Sequence, residues 1–153
     1  MKITLDVTEE QADELRKQFE KKEIKTIYNL KEGDTYFYLD DTLDVIDNQY
    51  DDDEIDNKRL SIWNVFLTEE EAEEERAKTK ARAIIKKWSV ENDWGYEFVK
   101  WEHNYYIFLH FNNTLDYGCF SHSKCDSKYY SSIDKVKQAI KELKEEYELL
   151  LLK

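Results

Sequence analysis

The feature that most constrains this chain is an order of segments that occurs twice. "TYFYLDDTLDVI" (35–46) leads on to "NVFLTEEEAEEERAKTKARAI" (64–84), and "YYIFLHFNNTLDYGCF" (105–120) leads on to "KYYSSIDKVKQAIKEL" (128–143). Each copy has an aromatic strand, an acidic or amide turn followed by Thr-Leu-Asp, a second strand, and an aromatic-led helix with a capped start. Two β-hairpin–helix units in series predict an α+β fold. Its antiparallel sheet is built from both hairpins plus an N-terminal strand and helix, with the helices packed on one face. The expected division is 1–32 (N-terminal strand and helix), 33–90 (first unit) and 95–153 (second unit), all in one domain of 153 residues.

The helix starts share a local signature. Thr8-Glu9-Glu10-Gln11 and Thr68-Glu69-Glu70-Glu71 are capping boxes, and Ser131-Ser132-Ile133-Asp134 is a looser version. Helical spacing predicts helices over about 9–22 (Ala12, Leu15, Phe19 inward), about 69–89 (Ala77, Ala81, Ile84, Ile85, Trp88) and about 133–150 (Ile133, Val136, Ile140, Leu143, Tyr147, Leu150). Alternation predicts strands at "KITLDV", more weakly at "TIYNL", and at 35–39, 43–46, 96–101, 105–111 and 115–122. The hairpins turn at Asp40-Asp41 and at Asn112-Asn113. If Asn112-Asn113 is a two-residue turn, Cys119 faces Tyr106, His110 faces Leu115 and His103 faces His122.

Charge separates the two copies. The net charge is −12, yet ten acids and no Lys or Arg lie between Gly33 and Asn57, so that segment carries most of the excess. Repulsion disfavours direct binding to nucleic acid or to an anionic membrane and favours a basic protein surface as partner. Asp47, Asp51, Asp52, Asp53, Glu54 and Asp56 are the candidate partner-binding residues, with carboxylates standing in for phosphates. The later acids Glu69–Glu71 and Glu73–Glu75 open a helix whose remainder is basic, where the helix dipole accounts for them. No stretch approaches the length of a membrane span, the N-terminus has no apolar signal-peptide core, and two cysteines read as reduced thiols; a cytoplasmic location is expected.

Catalytic and metal chemistries find little footing. Three glycines and no proline exclude a glycine-rich phosphate loop. The acidic run fails every register of a calcium loop: counting from Asp51, Ile55 and Ile62 occupy the fifth and twelfth positions. Cys119, His122 and Cys125 are zinc-type ligands, but residues three apart in a strand point to opposite faces. The expected register brings no histidine to the Cys119 thiol. The chain reads as a non-enzyme with no catalytic residue, no metal and no cofactor. The aromatics between Trp88 and Phe111 occupy both faces of their strands, so one face is expected in the core and the other at a binding surface.

The stretch "GDTYFYLDD … DDDEIDNKRLSIWNVFLTEEEAEEERAK", about residues 33–80, resembles small accessory proteins of phages and mobile elements from Gram-positive bacteria. The matching residues are Asp34, Tyr36, Tyr38, Asp56, Asn57, Asn64, Phe66, Thr68 and Glu69–Glu71. They form an aromatic strand, an acidic turn, an Asp-Asn dipeptide with a basic residue, then the pattern NxFxTEEEA. The aromatic-rich C-terminal half looks like the same families. Anti-CRISPR proteins, which are small, frequently acidic and usually non-enzymatic, are similar in kind. The resemblance implies an inhibitor that binds a type II CRISPR effector nuclease or its guide-RNA complex in the host bacterial cell. A non-inhibitory accessory or scaffold module that binds another protein is the alternative. No individual residue's role carries over.

Overall fold

The computed structural model describes residues 25–122 and 127–151. The strand at "KITLDV", the capping box at Thr8 and the helix expected over 9–22 lie outside those residues. At the weak strand candidate "TIYNL" there is instead a 3-10 turn, Ile27–Asn29, where Asn29 Oδ1 accepts the Thr26 N–H at 2.6 Å. Then come β1 (Thr35–Leu39), β2 (Val45–Gln49), α1 (Glu54–Ser61) and α2 (Glu69–Asp93). The second half runs β3 (Asn104–Leu109), β4 (Leu115–Phe120), β5 (Tyr129–Tyr130), α3 (Ile133–Glu142) and α4 (Lys144–Leu151). The class is α+β with helices against strands, but the single sheet is corrected. Among the described residues there are two antiparallel sheets, β1–β2 and β4–β3–β5.

Both hairpins close on one loop geometry. The Asp40 N–H bonds the Asp44 carbonyl at 3.0 Å and the Leu43 N–H bonds the Asp40 carbonyl at 3.1 Å, with Leu43 left-handed at φ 64°. In the second hairpin the His110 N–H bonds the Thr114 carbonyl at 2.8 Å and the Asn113 N–H bonds the His110 carbonyl at 2.9 Å, with Asn113 at φ 60°. Asp40–Asp44 therefore corresponds to His110–Thr114, a three-residue loop with its third residue left-handed. The two Thr-Leu-Asp triplets, which align in sequence, do not correspond in space. The extra loop residue also moves the expected register by one. Cys119 faces Tyr105 rather than Tyr106, and Leu115 faces Leu109 rather than His110.

A third partner joins the first strand of each hairpin just ahead of a helix. Phe66 exchanges two 2.9 Å backbone bonds with Phe37, two residues before the Thr68 cap. Tyr129 and Tyr130 pair with Tyr106 and Tyr105, just before the Ser132 cap. At the first cap, Thr68 Oγ1 accepts the Glu71 N–H at 3.2 Å, while the Glu71 carboxylate reaches back to the Leu67 N–H at 3.0 Å. The second cap sits one residue later than the sequence indicates, because Ser131 is engaged elsewhere. Its N–H bonds Asp93 Oδ2 at 2.9 Å and its hydroxyl donates to Asp93 Oδ1, tying the end of α2 to the start of α3.

α2 serves both sheets: it touches β1 and β2, and its later turns send Ile85 and Trp88 into a core with Ile107, Tyr130, Val136, Ala139, Leu143 and Tyr147. The helix of the first unit thus helps to build the core of the second. Trp88 Nε1 also donates to Glu142 Oε2 at 2.6 Å. Ile84 and Ile133, expected inward, are 46% and 40% exposed. The helix expected over 133–150 breaks at Leu143 (φ −120°, ψ 29°) although neither Pro nor Gly is present. The break keeps Leu143 and Tyr147 buried and lets the Tyr147 and Tyr130 hydroxyls meet. The expected strand at 96–101 is absent. Fully buried Asn104 accepts the Val99 N–H and donates to the Val99 carbonyl, each at 2.7 Å, so a side-chain amide occupies groups a strand ladder would need.

Candidate partner-binding surface

The acidic run is not one loop. Asp47 belongs to β2 opposite Phe37, and Asp53 caps α1 by accepting the Asp56 N–H at 2.8 Å. Asp52 is left-handed at φ 55°, a conformation aspartate tolerates better than most residues, and accepts the Tyr50 hydroxyl at 2.9 Å. Glu54 pairs with Lys58 one helical turn on, at 2.8 Å. Asp47, Asp51, Asp52, Asp53 and Glu54 are all exposed.

Asp56 is not. Only 2% of it is accessible, beneath the hairpin beside fully buried Tyr36. One carboxylate oxygen accepts the Tyr36 hydroxyl at 2.6 Å and the other the Asp51 N–H at 2.8 Å. The Tyr36 oxygen in turn accepts Arg59 Nη1 at 2.5 Å and Asn48 Nδ2 at 3.0 Å, and the Arg59 guanidinium lies 3.6 Å from the Tyr38 ring centroid. Burial by itself raises the Asp56 pKa, but the bonds from Tyr36, Asp51 and Asp56's own N–H cap partner Asp53, with the Arg59 charge, outweigh it and hold the carboxyl below its ordinary range. Burial, and then the bond to Asp56, raise the Tyr36 phenol. Asp56 therefore anchors the acidic turn instead of presenting a charge. The spacing Asp56–Arg59, one helical turn, is the sequence signal for this cluster; its third member, Tyr36, is distant in sequence.

The exposed acids differ in freedom. Asp47 and Asp51 make no side-chain hydrogen bond or ion pair with the described residues, whereas Asp52, Asp53 and Glu54 each have an internal partner. At the other end of α1, Ile62 and Trp63 are both 69% exposed, and the Tyr28 ring meets Trp63 edge-on at 5.9 Å. Eight helical residues span about 12 Å, so the acids and this aromatic group occupy opposite ends of one short helix. Trp63 lies outside the aromatic-rich stretch from Trp88 to Phe111 in which the sequence suggests a binding face. Trp88 is in the core; Trp94, Trp101 and Phe111 are exposed. Trp63, Trp94 and Trp101 all have left-handed backbones, an unfavourable setting for a bulky residue.

No family model, curated protein or solved structure matches the chain. The surface itself offers charge attraction and aromatic contact. Asp56 and Tyr36 are buried and Arg59 half-buried over them, an arrangement that positions the turn. Cys119 is exposed beside Tyr105, His122 Nδ1 shares a 2.7 Å hydrogen bond with Ser121, and Cys125 lies outside the described residues. Among the described residues, no three His, Cys, Asp or Glu side chains gather in a way that could hold a metal ion. None of the helices described is long and apolar enough to cross a membrane.

Proposed function

We propose that this chain is an acidic inhibitor that binds the basic surface of a nucleic-acid enzyme, with a type II CRISPR effector nuclease as its target. The observation that supports this reading is the group Asp47, Asp51, Asp52, Asp53 and Glu54: five exposed carboxylates, with no Lys or Arg among them, running from β2 through the turn anchored by buried Asp56 to the start of α1. Lys and Arg side chains that grip phosphates or the guide duplex would meet these carboxylates instead. Asp47 and Asp51, which have no partner among the described residues, contribute most. Tyr28, Ile62 and Trp63 supply the apolar anchor that slows dissociation. Phage or mobile-element origin, suggested by the resemblance of residues 33–80, fits such a role, and the inhibition needs no catalysis and no cofactor.

Target-DNA cleavage by a panel of type II nucleases, with the protein added at two salt concentrations, tests this. Inhibition of at least one enzyme is expected, weakening as salt rises. A variant carrying Asp47→Asn, Asp51→Asn, Asp52→Asn, Asp53→Asn and Glu54→Gln keeps a capping residue and Asp56, and loses at least about tenfold in inhibitory potency. Full potency in that variant removes phosphate mimicry. No inhibition anywhere in the panel moves the reading to a phage accessory module that binds another protein.

A further inference from the structure

We propose that the cleft between α2, α4 and β3 is a binding site for an anionic amphiphile, a small molecule with an apolar body and a carboxylate or phosphate head. The cleft is open to solvent and has a volume of about 670 Å³, within the ~300–1,000 Å³ typical of small-molecule sites. Its apolar wall is formed by Ile85, Ile107, Tyr147, Leu150 and Leu151. The charged residues that line it among those described are Arg82, Lys86 and Lys128, with no Asp or Glu. On a chain of net charge −12 this lining is locally basic, although Glu75 pairs with Arg82 and the charges of Glu97 and Asp93 act on Lys128. An anion is repelled by most of the surface and attracted here.

The three cations are not equally available. Arg82 already holds Glu75 at 2.6 Å. Lys128 donates to the Tyr96 carbonyl at 2.6 Å, and burial lowers its pKa, a shift that a nearby anion would oppose. Lys86 is exposed, lies one helical turn from Arg82 on the same side of α2, and has no hydrogen bond or ion pair with the described residues. Lys86 is the cation free to meet an incoming head group. Leu150 and Leu151 are only partly buried against the core, so an alkyl chain laid along them removes further apolar surface from water. A neutral amphiphile gains that contact and leaves Lys86 unpaired; a cationic one meets repulsion. The cleft is separate from the acidic residues of β2 and α1, so this site stands whether or not the inhibitor reading holds.

The test is titration of the intact protein with decanoate and with decyl phosphate, below their micellar concentrations, followed by calorimetry and methyl NMR. Decanol and decyltrimethylammonium serve as neutral and cationic controls. Expected are one-to-one binding of at least one anion, shifts centred on Ile85, Ile107, Leu150 and Leu151, and at least about tenfold weaker binding of both controls. The tighter of the two anions identifies the head group. Lys86→Glu weakens anion binding by about tenfold or more, and Lys86→Gln falls between it and wild type, with thermal melts unchanged because Lys86 is exposed. Equal binding of decanol, no effect of Lys86→Glu, non-saturating binding at many places (an adventitious additive only), or no binding of either anion overturns the proposal.

Discussion

The two hairpins close with the same loop and each leads to a capped helix, yet different chemistry is buried beside their first strands. Next to β1, Tyr36 joins a charged cluster with Asp56, Arg59 and Asn48. Next to β3, the Tyr130 hydroxyl bonds only the hydroxyl of Tyr147 among the described residues, and the two rings are packed among Ile85, Val136 and Leu143. A buried charge is tolerated only while each of its partners remains, whereas an apolar core loses stability gradually as it is trimmed. The charged cluster gives the first unit a turn of defined shape on which exposed acids can be displayed. The second unit, with the end of α2, holds the larger apolar core.

The comparison breaks most visibly at Asp56. Asp56→Ala leaves the Tyr36 hydroxyl and the Asp51 N–H without their acceptor and Arg59 without its ion-pair partner 3.8 Å away, and is expected to cost about 3–5 kcal/mol, measured by urea unfolding. Amide exchange should accelerate first in residues 35–49; equal acceleration at Ile107 would show that the two units open together.

The same contrast predicts a difference in the response to acid. The Asp56 pKa is lowered in the folded chain, so its contribution is complete above the unfolded value of about 3.9 and is lost as pH falls through the folded value. Burial raises both phenols of the second unit, Tyr147 to about 12 and Tyr130 higher still. Their contribution is complete below the unfolded value of about 10 and is lost as pH rises through the folded ones. Acid should therefore open the first unit before the second, as read by residue-resolved exchange. Alkali strains both units, because Tyr36 is raised as well.

Gly118→Ala sharpens the comparison with a smaller effect. A Cβ there would lie 2.6 Å from the Tyr106 ring, which stacks on Phe120 with centroids 5.0 Å apart. Displacing that ring is expected to cost about 1–3 kcal/mol, with aromatic NMR shifts confined to the second sheet. The smallest effect is a gain. Trp94 is 99% exposed and left-handed at φ 52°, so Trp94→Gly relieves strain and should raise stability by about 0.5–1 kcal/mol in thermal melts. A loss would show that the Trp94 ring has a packing role.

Features governed by near neighbours were legible. The Thr68 cap, the strand at 35–39 and the long second helix stand where spacing and turn chemistry indicate; both hairpins form, but on longer loops, and the second strand of the first is Val45–Gln49 instead of the expected 43–46. The acidic run could be seen as anomalous, but its inward and outward members could not be sorted. Asp56 looks like Asp52 in sequence, and only the turn of α1 directs it at Tyr36. The loss of the 96–101 strand was equally hidden, because nothing local marks Asn104 as the residue that takes the Val99 backbone.

By itself, the sequence determined the starts of α2 and α3, the presence of the two hairpins, and that negative charge concentrates between Gly33 and Asn57. Those properties depend on residues within a turn or two of one another. Tertiary structure decided the division into two sheets, the break at Leu143, the burial of Asp56 and the gathering of Arg82, Lys86 and Lys128 around one cleft. These outcomes rest on contacts between residues far apart in the chain, 20 positions for Tyr36–Asp56 and 54 for Trp88–Glu142. At such separations burial and hydrogen-bond satisfaction override local preference.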